Sequence, residues 1–337
     1  RGEPDAVEIN SGVQDGYTTG TPIGMVIENK DARSGKYEPY ITAPRPSHGD
    51  YTYSAKFGTR NWGGGGRSSA RETVNWVAAG AVAKQVLEQS EYDVQIKAHV
   101  NQVGDIRAPE VSFQEMLDNT EENEVRCAHP ETAEEMREAI DEYQQEGDSI
   151  GGSVYFECRG VPRGLGAPRF DSFAARLGRA MFAIPATSGF EFGAGRETRT
   201  MRGSERNEDW AFDDGDRPEI ESDEGDPVPV GNDHGGLQGG ITTGEPIYGE
   251  ATWHAPTSIP KQQTTADWET GEQKEIQVVG RHDPVLMPRA VPVVEAMLHL
   301  TVLDFMLLAG RINPDRLDGN VGEYDTDYHP RSPDNME

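Results

Sequence analysis

Apolar residues alternate at Ile23, Met25 and Ile27, the period of a half-buried strand, after an earlier short apolar run at Val7 and Ile9 and a turn signal at Asp15-Gly16. The spacing changes at Val74, Val77, Ala78, Ala81, Val82 and Leu87, which predicts a helix from Ser68 or Ser69 to Gln89. Ser69 and Glu72 have the capping-box spacing at its start, and Ala79 and Gly80 predict a close packing neighbour. Strands are expected within 91–112 (Val94, Ile96, Ala98, Val100) and at 150–158, and helices at 131–146 and 171–183. The segment 291–308 is apolar nearly all round but holds Glu295, His299 and Asp304, so it reads as a buried core helix rather than a membrane span. Residues 30–66 read as long loops, the kind that tends to carry function. Residues 205–231, with DDGD and ESDEGD, read as an acidic surface loop, either a salt-adapted insertion or a working lid. Residues 311–337 read as a charged, frayed tail.

One hexapeptide is echoed. Thr18-Thr19-Gly20-Thr21-Pro22-Ile23 recurs as Thr242-Thr243-Gly244-Glu245-Pro246-Ile247, each copy beside an expected strand. Two similar substructures within one large domain, made by duplication, would produce that pattern.

Charge narrows the function classes. The 337 residues carry a formal net charge of −28, with 59 acidic against 31 basic residues. Such a balance argues against a nucleic-acid binder, which needs a basic surface, and against docking on an anionic membrane. Lysines supply only seven of the basic residues, and the acidity is spread along the chain. That combination suits concentrated salt, where counter-ions screen self-repulsion. Two cysteines, Cys127 and Cys158, make no disulfide framework, and no signal-peptide pattern opens the chain, so a reducing cytoplasm is expected.

The densest chemical signal is residues 45–73, RPSHGDYTYSAKFGTRNWGGGGRSSARET. Gly63 to Gly66 allow close approach of backbone to a ligand and lead into Arg67, Ser68, Ser69 and Arg71 at an expected helix start, an anion site suited to phosphate. It lacks the G-K-[ST] ending of a P-loop, and no strand precedes it as a Rossmann fingerprint requires. His48, beside Asp50 and after Arg45, is a candidate proton donor near neutral pH. A second glycine-rich segment, Asn232 to Gly240, lies near Ala255-Pro256-Thr257-Ser258. A third cluster is Gly280-Arg281-His282-Asp283-Pro284, where Arg281 offers a fork for an oxyanion. No C-x-x-C, H-E-x-x-H or calcium-loop spacing is present, so no metal site is expected, and a serine hydrolase is not expected either.

Together and in this order, RPSHGDYTY…KFG…GGGRSSARET (45–73), GDSIGG (147–152), GVPRGLGAPRFD (160–171), GGLQGGITTGEPI (235–247), PTS (256–258) and GRHDPVLMPRAVPVVEAM (280–297) resemble the chorismate synthase family over roughly residues 1–310. The resemblance implies an α+β fold, a single four-layer α/β/β/α sandwich with internal duplication, which agrees with the echo. It implies a carbon–oxygen lyase of the shikimate pathway that eliminates phosphate from 5-enolpyruvylshikimate 3-phosphate to give chorismate. It implies reduced FMN as cofactor, associates the family with NADP, and points to a homotetramer supplied by a separate flavin reductase. On the matching positions it makes His48 and Asp283 catalytic. It assigns Arg67, Ser68, Ser69, Pro185, Ala186, Gly239, Ala255, Pro256, Thr257, Ser258, Ile259 and Arg281 to the flavin. Arg45, Arg60, Arg71 and again Arg281 are left for the substrate's phosphate and carboxylates.

The pattern departs from the family in two places. The family's Ser-His-Gly block is not among these residues, so the expectation is a form truncated at its N-terminus. The alternative is a flavin- or phosphate-binding subunit lacking that general acid. Ala255 and Ile259 replace the family's usual Lys and Ser around PTS, which weakens the polar contacts available there.

Overall fold

In a computed structural model, residues 5–30, 34–213, 225–278, 280 and 282–312 are described. The chain opens with four short strands, β1 (Val7–Ser11), β2 (Val13–Gln14), β3 (Tyr17–Thr18) and β4 (Gly24–Ile27). The helices α1 (Asp50–Phe57) and α2 (Thr73–Glu88) follow, then the strands β5 (Gln95–Val103) and β6 (Ile106–Arg107). Next come α3 (Phe113–Asn119), α4 (Pro130–Gln145), β7 (Gly152–Arg159), α5 (Phe173–Ala183) and β8 (Thr187–Phe192). The remainder comprises α6 (Gly203–Arg206), β9 (Trp210–Phe212), β10 (Pro227–Pro229), β11 (Leu237–Gln238), β12 (Ile241–Thr242), β13 (Ile247–Trp253), β14 (Gln262–Asp267), β15 (Glu272–Gln277) and α7 (Met287–Leu308).

The centre is a five-stranded antiparallel sheet in the order β6-β5-β7-β13-β8. Its two faces differ because side chains alternate along each strand. Ala98, Phe156, Gly249 and Ala251 share the face that packs on α7, where Val291, Val294, Leu298 and Val302 are buried. His99, Tyr155, Tyr248 and Glu250 occupy the other face, with Tyr155 packed against the Phe113–Met116 cluster of α3. The α+β class is therefore plain in the elements.

Helix α7 is the core helix that its apolar run predicts, lying against α2, α5, β5 and β7. Among the described residues it alone is long and apolar enough to cross a membrane, and half of its apolar window is buried inside the fold. Glu295 is accommodated there because its Oε1 accepts from the Ala98 amide at 3.0 Å and faces Lys97 Nζ at 3.4 Å. Burial is the main influence on that carboxyl and raises its pKa, against the opposing pull of Lys97. The small-residue expectation holds at Gly80, where a Cβ would stand 2.4 Å from the Cβ of Ala296.

Other expectations needed correction. Residues 30–66 are not all loop: 34–40 form a 3-10 turn and 50–57 form α1. Helix α2 begins later than predicted, after two 3-10 turns over 66–68 and 70–72. Ser69 caps the second turn by accepting from the Arg71 amide, while Glu72 pairs with Arg67, so the expected capping box is replaced by a local ion pair. The box forms instead at Ser112–Glu115, ahead of α3. Of the acidic 205–231 segment, α6, β9 and β10 are formed, whereas residues 214–224 lie outside the described residues, as does the tail from 313 onward.

The echo is a repeated structure. Val13 pairs with Thr18 and Gln14 with Tyr17; Leu237 pairs with Thr242 and Gln238 with Ile241. The Thr19 amide donates to the Gly12 carbonyl at 3.0 Å, and the Thr243 amide donates to the Gly236 carbonyl at 3.0 Å. Both hairpins turn through two residues with positive φ, Asp15-Gly16 and Gly239-Gly240, and each ends at a left-handed glycine, Gly20 or Gly244. Internal duplication is thus visible in backbone geometry as well as in sequence.

Candidate functional site

The segment from the 3-10 turn over 34–40 through α1 brings three side chains, Arg45, His48 and Arg60, to one buried carboxylate, that of Asp50. Asp50 accepts from Arg45 Nε at 2.8 Å and from Arg45 Nη2 at 3.0 Å, a bidentate fork, and from the Arg45 amide at 3.1 Å. Arg60 Nη1 reaches the same carboxylate at 3.2 Å, and its Nη2 donates to the Tyr40 carbonyl. His48 Nδ1 lies 3.2 Å from Asp50 Oδ1 and 3.1 Å from Arg45 Nη2. One nitrogen cannot donate to the first and accept from the second at once. Both Nδ1 contacts leave Nε2 as the atom for proton exchange. The Arg45 guanidinium also lies over the Tyr37 and Tyr40 rings and reaches Ser258 Oγ at 3.5 Å.

Asp50 is the hub of this cluster. Burial is the strongest single influence and would raise its pKa, but hydrogen bonds from His48 and Arg45, with the Arg45 charge, outweigh it and hold the carboxyl far below the usual range. The carboxylate is ionised at any working pH, yet two buried guanidiniums share it. An excess positive charge remains in a place where Arg45 and Arg60 are almost wholly buried, and such guanidiniums suit an anionic ligand.

Backbone contacts gather further segments here. A Cβ on Gly49 would lie 3.7 Å from Ser68 Cβ, so the loop carrying His48 abuts the serine-rich turn. Ser149 Oγ donates to the Pro256 carbonyl at 2.7 Å, and the Ile150 amide donates to the Pro284 carbonyl at 2.9 Å. Trp253 Nε1 donates to the Pro185 carbonyl at 3.1 Å, and Ala186 has φ +65°, a conformation costly for a residue with a side chain. The segments 45–50, 65–69, 147–151, 185–186, 253–258 and 283–284 are thereby linked.

The expected site residues do not all converge. Arg71 pairs with Asp5 at 2.6 Å and lies near the Glu28 carbonyl, facing the N-terminal strands. Arg67 is largely exposed and paired with Glu72. Asp283 pairs with Arg289 at 3.0 Å. Gly239 sits at its hairpin turn with φ +60° and open space where a Cβ would be. Arg281 lies outside the described residues. Asp50 was noted in the sequence only as a neighbour of His48. Its position between Arg45 and Arg60 was the available signal, but only the fold shows that both arginines meet it.

The donor set fits a flavin phosphate and an anionic substrate. Gly64, Gly65 and Gly66 all have positive φ, and no atom lies within 4 Å of a Cβ built on Gly64, so the backbone there is open to close approach by a ligand. Arg60 Nε is buried and donates to no described residue. Arg45, Arg60, Ser68 and Ser258 are the side chains available to hold phosphate oxygens.

Fold and cluster together define an α+β protein with two buried guanidiniums and a histidine gathered on one buried carboxylate. Comparison with known proteins makes that class specific. The family model for chorismate synthase matches residues 1–307. A protein named chorismate synthase from Halorubrum lacusprofundi is 80% identical over 336 residues, covering 99% of this chain and 85% of that one. One from Methanosarcina mazei is 47% identical over 95% of this chain and 84% of its own. A crystal structure of a chorismate synthase superposes with a TM-score of 0.69 at 28% identity, covering 90% of this chain and 78% of that one. The chain belongs to the chorismate synthase family.

Proposed function

We propose that this enzyme eliminates phosphate from 5-enolpyruvylshikimate 3-phosphate in a 1,4-anti sense to give chorismate, as a carbon–oxygen lyase dependent on reduced FMN. The observation that carries the reading is the Arg45–Asp50–Arg60 cluster with His48 at its edge, inside the segment that carries the densest family resemblance. A substrate bearing one phosphate and two carboxylates needs buried positive charge, and this overall acidic chain concentrates it there.

Each residue then has a defined task. Arg45 and Arg60 bind substrate anions, held in place by Asp50 so that little reorganisation is needed as charge develops on the departing phosphate. Ser68, Ser69 and Arg67 on the glycine-rich turn, with Pro185, Ala186, Gly239 and Ala255 through Ile259, line the flavin. Reduced FMN, when bound, supplies electron density to the allylic system as phosphate leaves. His48 exchanges a proton through Nε2, and Asp283 assists removal of the C6 proton. Arg71 and Arg281 are the further anion contacts that the family resemblance implies. A homotetramer, a separate flavin reductase, a cytoplasmic location and a need for concentrated salt belong to the same proposal, the last supported by the diffuse acidity and scarcity of lysine.

The test is anaerobic phosphate release from the substrate with chemically reduced FMN in molar KCl. Wild-type protein is expected to turn over, and His48→Ala to lose about 10²–10⁴-fold in kcat, the range for a general acid or base. A folded wild-type chain that binds FMN and substrate yet releases no phosphate would overturn the assignment of activity.

A further inference from the structure

A second histidine is buried outside that site. His234, at the entrance to the β11–β12 hairpin, has a side chain 4% exposed. Its Nε2 touches Oε2 of Glu208 and lies 3.0 Å from Oε2 of Glu245, whose side chain is fully buried. The three ligand atoms lie within 4.8 Å of one another. Neither ring nitrogen of His234 makes a hydrogen bond with a described residue, and neither does Oε2 of Glu208. An imidazole N–H points along a single direction in the ring plane and cannot serve two carboxylate oxygens on either side of it. A cation at the shared focus serves all three atoms.

We infer that Glu208, His234 and Glu245 form a binding site for one divalent transition-metal cation, of which Zn²⁺ is the closest match to the donor set. One imidazole and two carboxylates are borderline and hard ligands, suited to Zn²⁺ or Mn²⁺ rather than to thiophilic ions. Metal–ligand bonds of about 2.0–2.2 Å would hold neighbouring ligand atoms about 3.3 Å apart, so the His234–Glu245 pair is nearly at its bound spacing and Glu208 moves outward. Electrostatics point the same way. Asp233 is beside the trio, its amide donating to Glu208 Oε1 at 2.5 Å, and Arg206 stands 3.8 Å from that oxygen. Three carboxylates, Glu208, Asp233 and Glu245, thus gather around the imidazole, an acidic setting that favours a cation. A cavity of about 470 Å³, lined by Phe190, Phe192, Arg196, Arg206, Asp233 and His234, provides a route in and room for water at the remaining coordination positions.

The ligands explain what the ion would do. His234 and Glu245 bracket the hairpin that carries Gly239 and Gly240, and Glu208 comes from the segment before β9. One ion would clamp both ends of the hairpin and tie it to the 206–210 segment. The sequence hid this site because its three ligands are scattered and match no metal-binding spacing.

The test strips the protein with EDTA and titrates it with Zn²⁺ against a chromophoric chelator in molar KCl. Co²⁺ is used in parallel for its d–d absorption. A single equivalent per chain is expected, with a Co²⁺ spectrum of low-coordinate N/O type. His234→Ala should weaken binding by at least about 100-fold and the nearly isosteric Glu208→Gln by about 10–100-fold. Near-UV circular dichroism confirms folding of each variant, and Glu208→Gln carries the test if His234→Ala fails to fold. Uptake equal in wild type and a folded variant would mean adventitious surface binding only and would overturn the site. Absence of uptake by wild type would also overturn it. Neither result bears on phosphate release, so this inference and the proposed activity fail separately.

Discussion

The hairpins at 12–20 and 236–244 share a backbone and differ in almost everything around it. Both pair in the same register, close the same amide-to-glycine-carbonyl bond at 3.0 Å and turn through two positive-φ residues. The first leads into β4, which among the described residues pairs only with β1, and Val7, Ile9 and Val26 there remain 44–53% exposed. The second leads into β13, which lies between β7 and β8 in the central sheet with Ile247, Ala251 and Trp253 buried. The shared turn chemistry therefore dictates local geometry, whereas burial is decided by what the following strand meets. Function divides along the same line. Only the second copy carries a turn glycine of the proposed flavin wall and the histidine and glutamate of the proposed metal site.

The largest test of this contrast is Gly236→Ala. At φ +72° an alanine is strained by about 1–2 kcal/mol, and its Cβ would stand 2.7 Å from the Pro246 carbonyl and 2.9 Å from the buried Ile247 side chain. With overpacking of about 1–3 kcal/mol added, the expected loss is about 2–5 kcal/mol of global stability, read from urea midpoints in molar KCl. A loss below about 1 kcal/mol would show that the second hairpin is no more constrained than the first.

A second difference lies in pH. The sheet that receives the second copy buries His99, whose Nδ1 accepts from the Ala128 amide at 3.4 Å. Burial dominates and lowers its pKa to about 4, against smaller opposing effects from the Val100 backbone and the Glu250 charge. The neutral ring is the folded form, so the unfolded chain binds the proton first as pH falls. The contribution is complete above the ordinary value of 6.5 and is lost as pH drops through about 4. A shift of that size corresponds to about 3 kcal/mol. The stability difference between pH 7 and pH 4.5 should shrink in His99→Asn relative to wild type, whereas hydrogen exchange in residues 7–27, which contain no histidine, should show no corresponding step. An unchanged pH slope in His99→Asn would remove His99 as the cause.

What the sequence made legible follows the same division. The core helix at 291–308, the Gly80 contact and the hexapeptide echo were readable because each is written in local spacing. Helix α1 was not, since DYTYSAKF has no apolar stripe and its first residue is fixed by two arginines instead. The Ser69–Glu72 spacing was right for a capping box, but Arg67 was a competing partner for Glu72. In the site, His48, Arg45 and Arg60 were found as separate signals. Their common dependence on Asp50, and the diversion of Arg71 to Asp5, needed the chain to fold.

The smallest expected effect is the most discriminating one. Gly12→Ala meets the same local obstruction as Gly236→Ala: φ is +83°, and the new Cβ would stand 2.7 Å from the Pro22 carbonyl, the counterpart of Pro246. If local geometry alone set stability, the two substitutions would cost the same. The first hairpin, however, is solvent-exposed over most of its length and pairs with no strand of the central sheet, so it can open without exposing the core. Gly12→Ala is expected to lower the global unfolding free energy by less than about 1 kcal/mol, while amide protection across residues 7–27 falls by about tenfold or more, in proportion to the local strain. Native-state hydrogen exchange separates the two quantities in one experiment. Equal global losses in Gly12→Ala and Gly236→Ala would mean that the exposed copy is as tightly coupled to the core as the buried one.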